Sequence, residues 1–352
     1  MGNYATMKCK YLDHQLCVRS DGQYRFCCAS MEDNNKENIR THTPQEWFNS
    51  VTHREARETF SRGEWPDACI TCKKKEDLGL ESMRTRPRLY GPGISHLDIR
   101  FGNSCNLKCI SCWEMSSSSI AEEAVEMQKQ GLIPVNNVIE VPNFNWASEE
   151  AIEQITQFPI QEVYLTGGEP MMVKHLPKLL ERLDPDVMIR FNTNGTIYNN
   201  KLEKLLKRFK VVNMAFSFDA IGDKIEYIRY GSKWNEILDN YKRYREYCVL
   251  TSVTPTISVL NAPYMQELVD WCATEDITIH LDNKLDNPKH LHVRNAPEDL
   301  KKLFTHTDGW EKGSADLKQI EIFKDKITRL DNFRNVKIKD YLPEVAKAYG
   351  LD

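Results

Sequence analysis

The stretch that decides the fold is residues 101–113, which read FGNSCNLKCISCW and place three cysteines in eight positions. It follows residues 96–101, HLDIRF, which we predict to form a strand. Gaps of three and then two residues let Cys105, Cys109 and Cys112 wrap three thiolates around one face of a cubane iron–sulfur cluster, leaving one iron without a protein ligand. A zinc site with a fourth ligand nearby and a group of buried structural thiols are the alternatives. The position of the loop directly after a strand favours the open iron–sulfur site.

Short β-favouring runs alternate with helical patterns downstream of this loop. The predicted strands cover residues 96–101, 162–165, 187–191, 211–216, 252–259 and 277–281. The predicted helices lie near residues 117–130, 173–183, 200–209, 233–247 and 263–274, with a further one after Pro297. Alternation of this kind predicts parallel strands with covering helices, either as an open sheet or as a barrel. Residues 286–352 are predicted to form a mainly helical tail.

Three further motifs follow the second, third and fourth of these strands. They are TGGEP at residues 166–170, TNG at residues 193–195 and SFD at residues 217–219. Together with the C-x3-C-x2-C loop, they resemble the radical SAM superfamily over about residues 95–282. The resemblance implies an α/β fold with a partial (βα)6 TIM-like barrel. Many members place an aromatic residue where this chain has Ser111, so we expect an altered contact to adenine there.

The resemblance also implies two cofactors, a catalytic [4Fe–4S] cluster on the three loop cysteines and S-adenosylmethionine. The residues implied to bind S-adenosylmethionine are Gly167, Gly168, Glu169, Asn194, Ser217, Asp219 and Arg229. The glutamate supplies an anion for the α-amino group, and the two glycines leave backbone groups open to a ligand. The asparagine, serine and aspartate side chains suit ribose hydroxyls or the methionyl end, and the arginine suits its carboxylate. A structural cap or a surface role is the alternative for these last four.

The implied reaction begins with an electron from an external donor such as flavodoxin or ferredoxin. Reductive cleavage of S-adenosylmethionine would then release a 5′-deoxyadenosyl radical that abstracts hydrogen from the substrate. The protein would supply positioning and exclude water and oxygen.

A second group of cysteines lies near the N-terminus. A cysteine, a gap, G-x4-C beginning at Gly22, and then C-x2-C resemble the Twitch version of the SPASM auxiliary domain, here placed before the barrel. This implies an auxiliary [4Fe–4S] cluster with four ligands, Cys9, Cys27, Cys69 and Cys72. Cys28 is an alternative to Cys27, and a four-cysteine zinc site is an alternative to the cluster. We also predict a short hairpin around residues 20–23 and a helix near residues 44–61.

The prolines and glycines in residues 86–93 predict a linker. The predicted domains are therefore an auxiliary iron–sulfur domain with linker over 1–93, a partial barrel over 94–285 and a helical tail over 286–352.

Composition bounds the remaining possibilities. The chain has 352 residues, of which 41% are apolar and 28% charged, so it can bury a core and is not a disordered chain. It shows neither a spanning apolar run nor a signal-peptide pattern, and we expect a cytoplasmic protein without membrane contact. The net charge of −4 makes nucleic acid an unexpected partner. Eleven cysteines, an odd number, favour metal or redox chemistry over disulfides.

The likeness to SPASM and Twitch proteins implies a substrate class. We expect oxidation, cross-linking or epimerisation of a peptide or protein side chain, or oxidation of a small polar metabolite, with the auxiliary cluster aiding electron transfer. The alternatives are modification of a nucleotide or nucleic acid and a non-catalytic iron–sulfur or zinc scaffold. Cys17 has no predicted role, and helical spacing predicts that Cys248 and Cys272 are buried core thiols.

Overall fold

A computed structural model describes residues 8–31, 36–87, 90–133 and 144–352, so residues 88 and 89 of the predicted linker lie outside the described residues. Within these ranges the strands are β1 (Gln15–Val18), β2 (Tyr24–Arg25), β3 (His96–Ile99), β4 (Lys108–Cys109), β5 (Glu162–Leu165), β6 (Met188–Thr193), β7 (Val212–Phe216), β8 (Arg229–Tyr230), β9 (Leu250–Val253) and β10 (Thr278–Ile279).

The α-helices of the described residues are α1 (Lys10–His14), α2 (Pro44–Phe48), α3 (Val51–Ser61), α4 (Ile70–Asp77), α5 (Ser118–Lys129), α6 (Glu149–Thr156), α7 (Leu176–Arg182), α8 (Asn200–Leu206), α9 (Gly222–Ile228), α10 (Trp234–Arg245), α11 (Met265–Thr274), α12 (Glu298–Lys301), α13 (Leu317–Arg334), α14 (Ile338–Tyr341) and α15 (Pro343–Tyr349). Across the described ranges, no helix combines the length and the apolar character needed to cross a membrane.

Eight of these strands form one mostly parallel sheet in the order β10-β9-β7-β6-β5-β3-β1-β2. Strands β3, β5, β6, β7, β9 and β10 occur in the same order along the chain as across the sheet. A strand followed by a helix and then by its neighbouring parallel strand is the repeating unit of a (βα) barrel. The predicted α/β class, with a partial TIM-like barrel and a helical C-terminal region, is thereby confirmed. The short strands β4 and β8 pair separately.

The chain divides into two compact units, of which the first contains residues 1–104, 143–191 and 199–213. In this unit β1 pairs in parallel with β3 and antiparallel with β2, which confirms the hairpin predicted at residues 20–23. The sequence did not predict that β1 extends the barrel sheet. The single helix predicted near 44–61 is two helices, because α2 ends at Phe48 and Ser50 caps α3 by accepting a hydrogen bond from the His53 amide.

The second unit contains residues 105–142, 192–198 and 214–352. The strand predicted over residues 252–259 ends at Val253, because Pro255 has no amide to continue a ladder. The tail is helical as predicted, with α12 to α15 lying after residue 286. It has its own buried side chains, including Phe323, Ile327 and Tyr349, so it packs as part of a folded core.

Candidate active site and cysteine clusters

The loop that carries the first cysteine of the triad is fixed by the start of α5. The Cys105 amide donates to Ser118 Oγ at 3.2 Å, and the Cys105 carbonyl accepts from Ser119 Oγ at 2.7 Å. Ser117, the N-cap of α5, donates its hydroxyl to the Leu107 carbonyl at 2.7 Å. A run of serines therefore serves both to begin the helix and to hold the loop backbone.

The other two cysteines of the triad lie on and beside the β4–β8 ladder. Cys109 is paired with Arg229 in antiparallel register, and the Ile110 amide donates to the Ile228 carbonyl at 2.9 Å. The Cys112 amide donates to the Cys109 carbonyl at 3.1 Å, which closes a turn. Backbone pairing thus sets the positions of two of the three thiols.

Polar side chains point at two of the sulfur atoms. Asn194 Nδ2 donates to Cys105 Sγ at 3.9 Å and to Asn106 Oδ1 at 3.1 Å. Arg229 Nη1 donates to Cys109 Sγ at 3.9 Å, and Arg229 Nε lies 2.8 Å from Asp219 Oδ2. The second unit therefore brings three of the predicted cofactor-binding residues together with the predicted cluster ligands.

Asp219 is a deeply buried member of this group, with only 1% of its surface exposed. Its Oδ1 atom accepts a hydrogen bond from the Thr256 amide at 2.7 Å, and its carbonyl accepts from Asn261 Nδ2 at 3.0 Å. Ser217 is half-buried nearby, with its amide donating to the Thr193 carbonyl at 2.9 Å. The Asp219 carboxylate is thus engaged by Arg229 and the backbone, a role the sequence did not assign to it.

Burial controls the protonation of these thiols. It raises the pKa of Cys109 to about 12, against the opposing effect of the Arg229 cation, and it also raises the pKa of Cys112. Burial disfavours the charge of Arg229, but Asp219 and Cys109 outweigh it and raise the arginine pKa above its usual value. The metal-free thiols of Cys109 and Cys112 are therefore neutral beside a permanent cation, and metal binding would release their protons.

The TGGEP motif builds a small cavity in the first unit. A Cβ atom on Gly168 would lie 2.2 Å from the Ser104 carbonyl oxygen, so only glycine fits there. The Glu169 amide donates to the same carbonyl at 2.7 Å, and its buried carboxylate accepts from the Met171 amide at 3.1 Å. Gly168 and Glu169 line a cavity of about 100 Å³, whereas Gly167 supplies a turn with φ of +125°. Two of the three motif residues that the resemblance assigns to S-adenosylmethionine, Gly168 and Glu169, therefore line this cavity, and Gly167 does not.

The four N-terminal cysteines of the predicted auxiliary site also meet in the first unit. They line one pocket together with Tyr11, Phe60, Trp65 and Arg84. The second cysteine of the C-x2-C pair lies in the first turn of α4, for which the first is the N-cap. Among the residues that the structure describes, no three histidine, cysteine, aspartate or glutamate side chains are arranged to hold a single metal ion.

A half-buried arginine accompanies these N-terminal thiols. Arg84 forms a two-point ion pair with Glu76, including a 3.0 Å bond from Nε to Oε1, and its guanidinium lies 5.3 Å from the centre of the Trp65 ring. Burial raises the pKa of Cys9 to about 11, although the Leu12 amide and Arg84 partly oppose this. The pocket therefore has aromatic walls and one paired cation.

The remaining cysteines lie elsewhere. Cys28 is exposed and does not line the pocket with Cys27, and Cys17 is buried. Cys272 is fully buried, which confirms its prediction as a core thiol. Cys248 is only half-buried, so the prediction that it is a buried core thiol is wrong.

Sequence reasoning missed a buried ion pair behind the β4–β8 ladder. Arg334 of α13 donates to both carboxylate oxygens of Glu123 in α5, at 3.0 and 2.6 Å, and to the Lys108 carbonyl at 2.9 Å. Both charged side chains are only 4% exposed, and the guanidinium lies 4.4 Å from the centre of the Tyr230 ring. The two charges are 211 positions apart in the chain, so no local pattern could reveal their pairing.

The second unit also contains a cavity of about 870 Å³ beside the cysteine loop. Cys109, Cys112 and Trp113 line one part of it, and side chains of α5 and α13 line much of the rest. A space of this size suits a drug-sized ligand or a few amino-acid side chains.

Comparison with known proteins agrees with this fold. A barrel of parallel strands with three cysteines after its first barrel strand defines a class of iron–sulfur enzymes. The family model of the radical SAM superfamily matches residues 99–272, and the chain belongs to this superfamily. It is therefore an enzyme of a family that uses S-adenosylmethionine and a [4Fe–4S] cluster.

The similar curated proteins are distant and are covered only in part. They include the probable GTP 3′,8-cyclases of Archaeoglobus fulgidus, 22% identical over 44% of this chain and 46% of that protein, and of Methanocella arvoryzae, 27% identical over 33% and 32%. The GTP 3′,8-cyclase of Desulforamulus reducens is 22% identical over 54% of this chain and 55% of its own. The chain thus spans about half, or less, of the length of these relatives.

Two groups of solved structures are also similar. The anSMEcpe enzyme with bound AdoMet has a TM-score of 0.42 at 16% identity, covering 56% of this chain and 51% of its own. SuiB of Streptococcus suis bound to S-adenosylmethionine has a TM-score of 0.37 at 16% identity, covering 86% and 53%. Superpositions this loose say nothing about the activity of the present chain.

Proposed function

We propose that the chain cleaves S-adenosylmethionine reductively at a [4Fe–4S] cluster held by Cys105, Cys109 and Cys112, and abstracts hydrogen from an organic substrate. The observation that carries this proposal is the loop itself, in which three thiols are held by α5 and by the β4–β8 ladder. Three protein ligands leave one iron open to a cosubstrate. When bound, the cluster and S-adenosylmethionine would supply the 5′-deoxyadenosyl radical.

The cosubstrate would be held by the polar residues that follow the barrel strands. Glu169 supplies a buried carboxylate at a cavity that Gly168 also lines, and such an anion suits an α-ammonium group. Asn194 and Ser217 offer hydrogen bonds for ribose or the methionyl end. Asp219 and Arg229 already form an ion pair with each other. Either side chain would therefore have to keep this ion pair while it contacts S-adenosylmethionine.

The N-terminal pocket supports a second [4Fe–4S] cluster as part of the same proposal. Cys9, Cys27, Cys69 and Cys72 share one pocket and would give the four ligands of a closed cluster. Cys28 is exposed and lies outside that pocket, which favours Cys27 as the ligand. Such a cluster would accept or relay an electron during substrate oxidation. Measurement of about eight irons per chain is expected for two clusters, whereas four irons and one zinc would contradict the second cluster.

The substrate we favour is a peptide or protein side chain, or a small polar metabolite. The cavity of about 870 Å³ beside Cys112 and Trp113 offers room for a side chain and its neighbours. A nucleotide is the second candidate, because several of the similar curated proteins are named GTP 3′,8-cyclases.

Anaerobic turnover tests the proposed reaction. Reconstituted protein, dithionite and S-adenosylmethionine should yield 5′-deoxyadenosine, measured by liquid chromatography and mass spectrometry. Cys105→Ala should abolish the product, while Cys248→Ala, which replaces a thiol outside both groups, should leave it unchanged. Equal product from wild type and Cys105→Ala would overturn the proposal.

The same assay separates the two substrate classes. A true substrate should increase the rate of 5′-deoxyadenosine formation and gain a mass change of its own. We would compare GTP with a pool of short synthetic peptides under identical conditions. Stimulation by GTP alone would contradict the peptide assignment and support the nucleotide.

A further inference from the structure

Arg229 stands in an unusual position for a residue expected to bind a cosubstrate. Its Nη1 atom donates toward Cys109 Sγ at 3.9 Å while Nε faces the Asp219 carboxylate at 2.8 Å. We propose that Arg229, held by Asp219, donates a hydrogen bond to the Cys109 thiolate of the bound cluster and thereby raises the reduction potential of that cluster. This inference rests on the proposed three-cysteine cluster and assigns a positioning and tuning role within it.

The backbone holds this arginine beside the sulfur. Cys109 and Arg229 are direct partners in the β4–β8 ladder, and the adjacent hydrogen bond from the Ile110 amide to the Ile228 carbonyl measures 2.9 Å. Residues paired across an antiparallel ladder keep their side chains within reach of one another. The contact between the guanidinium and the thiol is therefore set by the register of this ladder.

The part of Arg229 that faces Asp219 is also held in place. Asp219 is 1% exposed and is itself anchored by the Thr256 amide at 2.7 Å, and the Arg229 side chain is 12% exposed. A guanidinium cannot lose its proton in this setting, so the cation persists at any working pH. The pair thus presents one fixed positive charge and one N–H donor to the cluster.

Charge determines the direction of the effect. A [4Fe–4S]²⁺ core with three thiolates carries one net negative charge, and addition of one electron from an external reductant makes it two. A nearby cation in a low-dielectric site stabilises the more negative state, and hydrogen bonds to ligand sulfur act in the same direction. Asp219 opposes the cation, so the two side chains should tune the potential with opposite signs.

A potentiometric titration tests this pair of opposite effects. The full-length reconstituted protein would be titrated with dithionite and redox mediators in the absence of S-adenosylmethionine. The signal of the three-cysteine cluster is identified in electron paramagnetic resonance spectra as the one that S-adenosylmethionine perturbs. Arg229→Met should lower the equilibrium constant for reduction about tenfold, which is ~59 mV for one electron. Asp219→Asn should raise the potential, and Arg229→Lys should fall between Arg229→Met and the wild type.

Arg245→Met provides the matched control. Arg245 lies in the same unit and pairs with Asp276 without contacting a cysteine, so its loss should leave the potential unchanged. The inference is overturned if Arg229→Met keeps the wild-type potential, or if Arg229→Met and Asp219→Asn shift it in the same direction. Wild-type protein that binds no S-adenosylmethionine-sensitive cluster would instead contradict the proposed function, so the two failures are distinguishable.

Discussion

The two cysteine groups of this chain are built in different ways. Cys105, Cys109 and Cys112 come from one loop of eight positions, which is ordered by the helix and strand residues on either side of it. The auxiliary group draws its thiols from three segments between residues 9 and 72, which meet only when the first unit folds. The thiols of the first group are close together in the sequence, whereas those of the second group are brought together from separate segments by tertiary packing.

Their surroundings differ in the same sense. The loop thiols receive N–H donors from Asn194 and Arg229, whereas the N-terminal pocket is walled by aromatic rings such as Phe60 and Trp65. Polar donors suit a cluster that must bind and reduce a cosubstrate, while an apolar wall suits a closed cluster that only exchanges electrons. The residues around a cluster therefore influence its chemistry as much as its ligands do.

The largest expected effect comes from removing one ligand of each group. Cys112→Ala should lower the rate of 5′-deoxyadenosine formation by at least about 10³-fold. The cluster would lose one of its three ligands, and S-adenosylmethionine would then have no iron to bind. Cys72→Ala should retain that product but lower the iron content from about eight to about four atoms per chain. Iron quantification and product analysis check both results.

Cys272→Ala is the control for this experiment, since Cys272 is buried away from both groups. Loss of 5′-deoxyadenosine in a Cys72→Ala protein that still carries four irons would contradict the independence of the two groups.

The next effect concerns two ion pairs, one near each group, of which one is buried and the other half-buried. Glu123→Gln should cost about 3–5 kcal/mol of unfolding free energy, because it leaves Arg334 buried without its counter-charge. Glu76→Gln should cost less, about 1–2 kcal/mol, because Arg84 and Glu76 are 18% and 17% exposed against 4% for the other pair. Urea titrations of the two variants compare these costs directly.

The combined variant Glu123→Leu with Arg334→Leu sharpens the result. Its loss should be smaller than that of Glu123→Gln, since no unpaired charge remains. If the double variant loses as much unfolding free energy as Glu123→Gln or more, the pair stabilises the fold only through packing.

A pH effect is expected from the aromatic packing behind Cys27. His53 is fully buried against Phe26 and Trp47, neither of its ring nitrogens has a hydrogen-bond partner among the described residues, and burial lowers its pKa to about 3. The unfolded chain therefore binds a proton between the ordinary histidine pKa and pH 3 that the folded chain does not. Stability is fully present above the unfolded pKa and falls as the pH drops, by about 2 kcal/mol at pH 5.

His53→Phe should remove this acid-dependent loss. Thermal unfolding of the two proteins between pH 7 and pH 5 would measure it, and parallel curves would contradict the assignment to this histidine.

The smallest effects concern two helix caps. Ser117→Ala should cost about 1–2 kcal/mol, because the hydroxyl both accepts from the Ile120 amide and donates to the Leu107 carbonyl in the cysteine loop. Thr43→Ala should cost about 1 kcal/mol or less, because the capping box of Thr43 and Glu46 is more exposed to solvent than Ser117. Urea titration would rank them, and equal costs would mean that the loop contact contributes nothing.

Much of the barrel is predictable from sequence because its signals are local. Each barrel strand was located from a short β-favouring run, and the motifs at residues 105–112 and 166–170 are each contiguous in the sequence. The end of β9 at Val253 could also have been foreseen, since Pro255 cannot donate to a ladder. Ser50 likewise carried the signal for a second helix start.

The remainder depends on contacts between distant parts of the chain. Strand β1 has only four residues, and its place beside β3 depends on a partner about eighty positions away. The β4–β8 ladder has two residues on each side, too few for any periodicity. The pairing of Arg229 with Asp219 and Cys109, and of Arg334 with Glu123, emerges only from these tertiary contacts.

The two-residue β4–β8 ladder has a consequence for how cluster loading can be observed. The Ile110 amide is tied to the Ile228 carbonyl, one residue from a ligand thiol, and the Cys112 amide is tied to the Cys109 carbonyl. So short a ladder opens at little cost, so in the metal-free chain these amides should exchange their hydrogens with solvent quickly. Ligation of Cys109 and Cys112 to a common cluster would close that opening. Slow deuterium uptake at Ile110 and Cys112 would then report a filled site through the backbone alone, independently of colour, spin state or turnover.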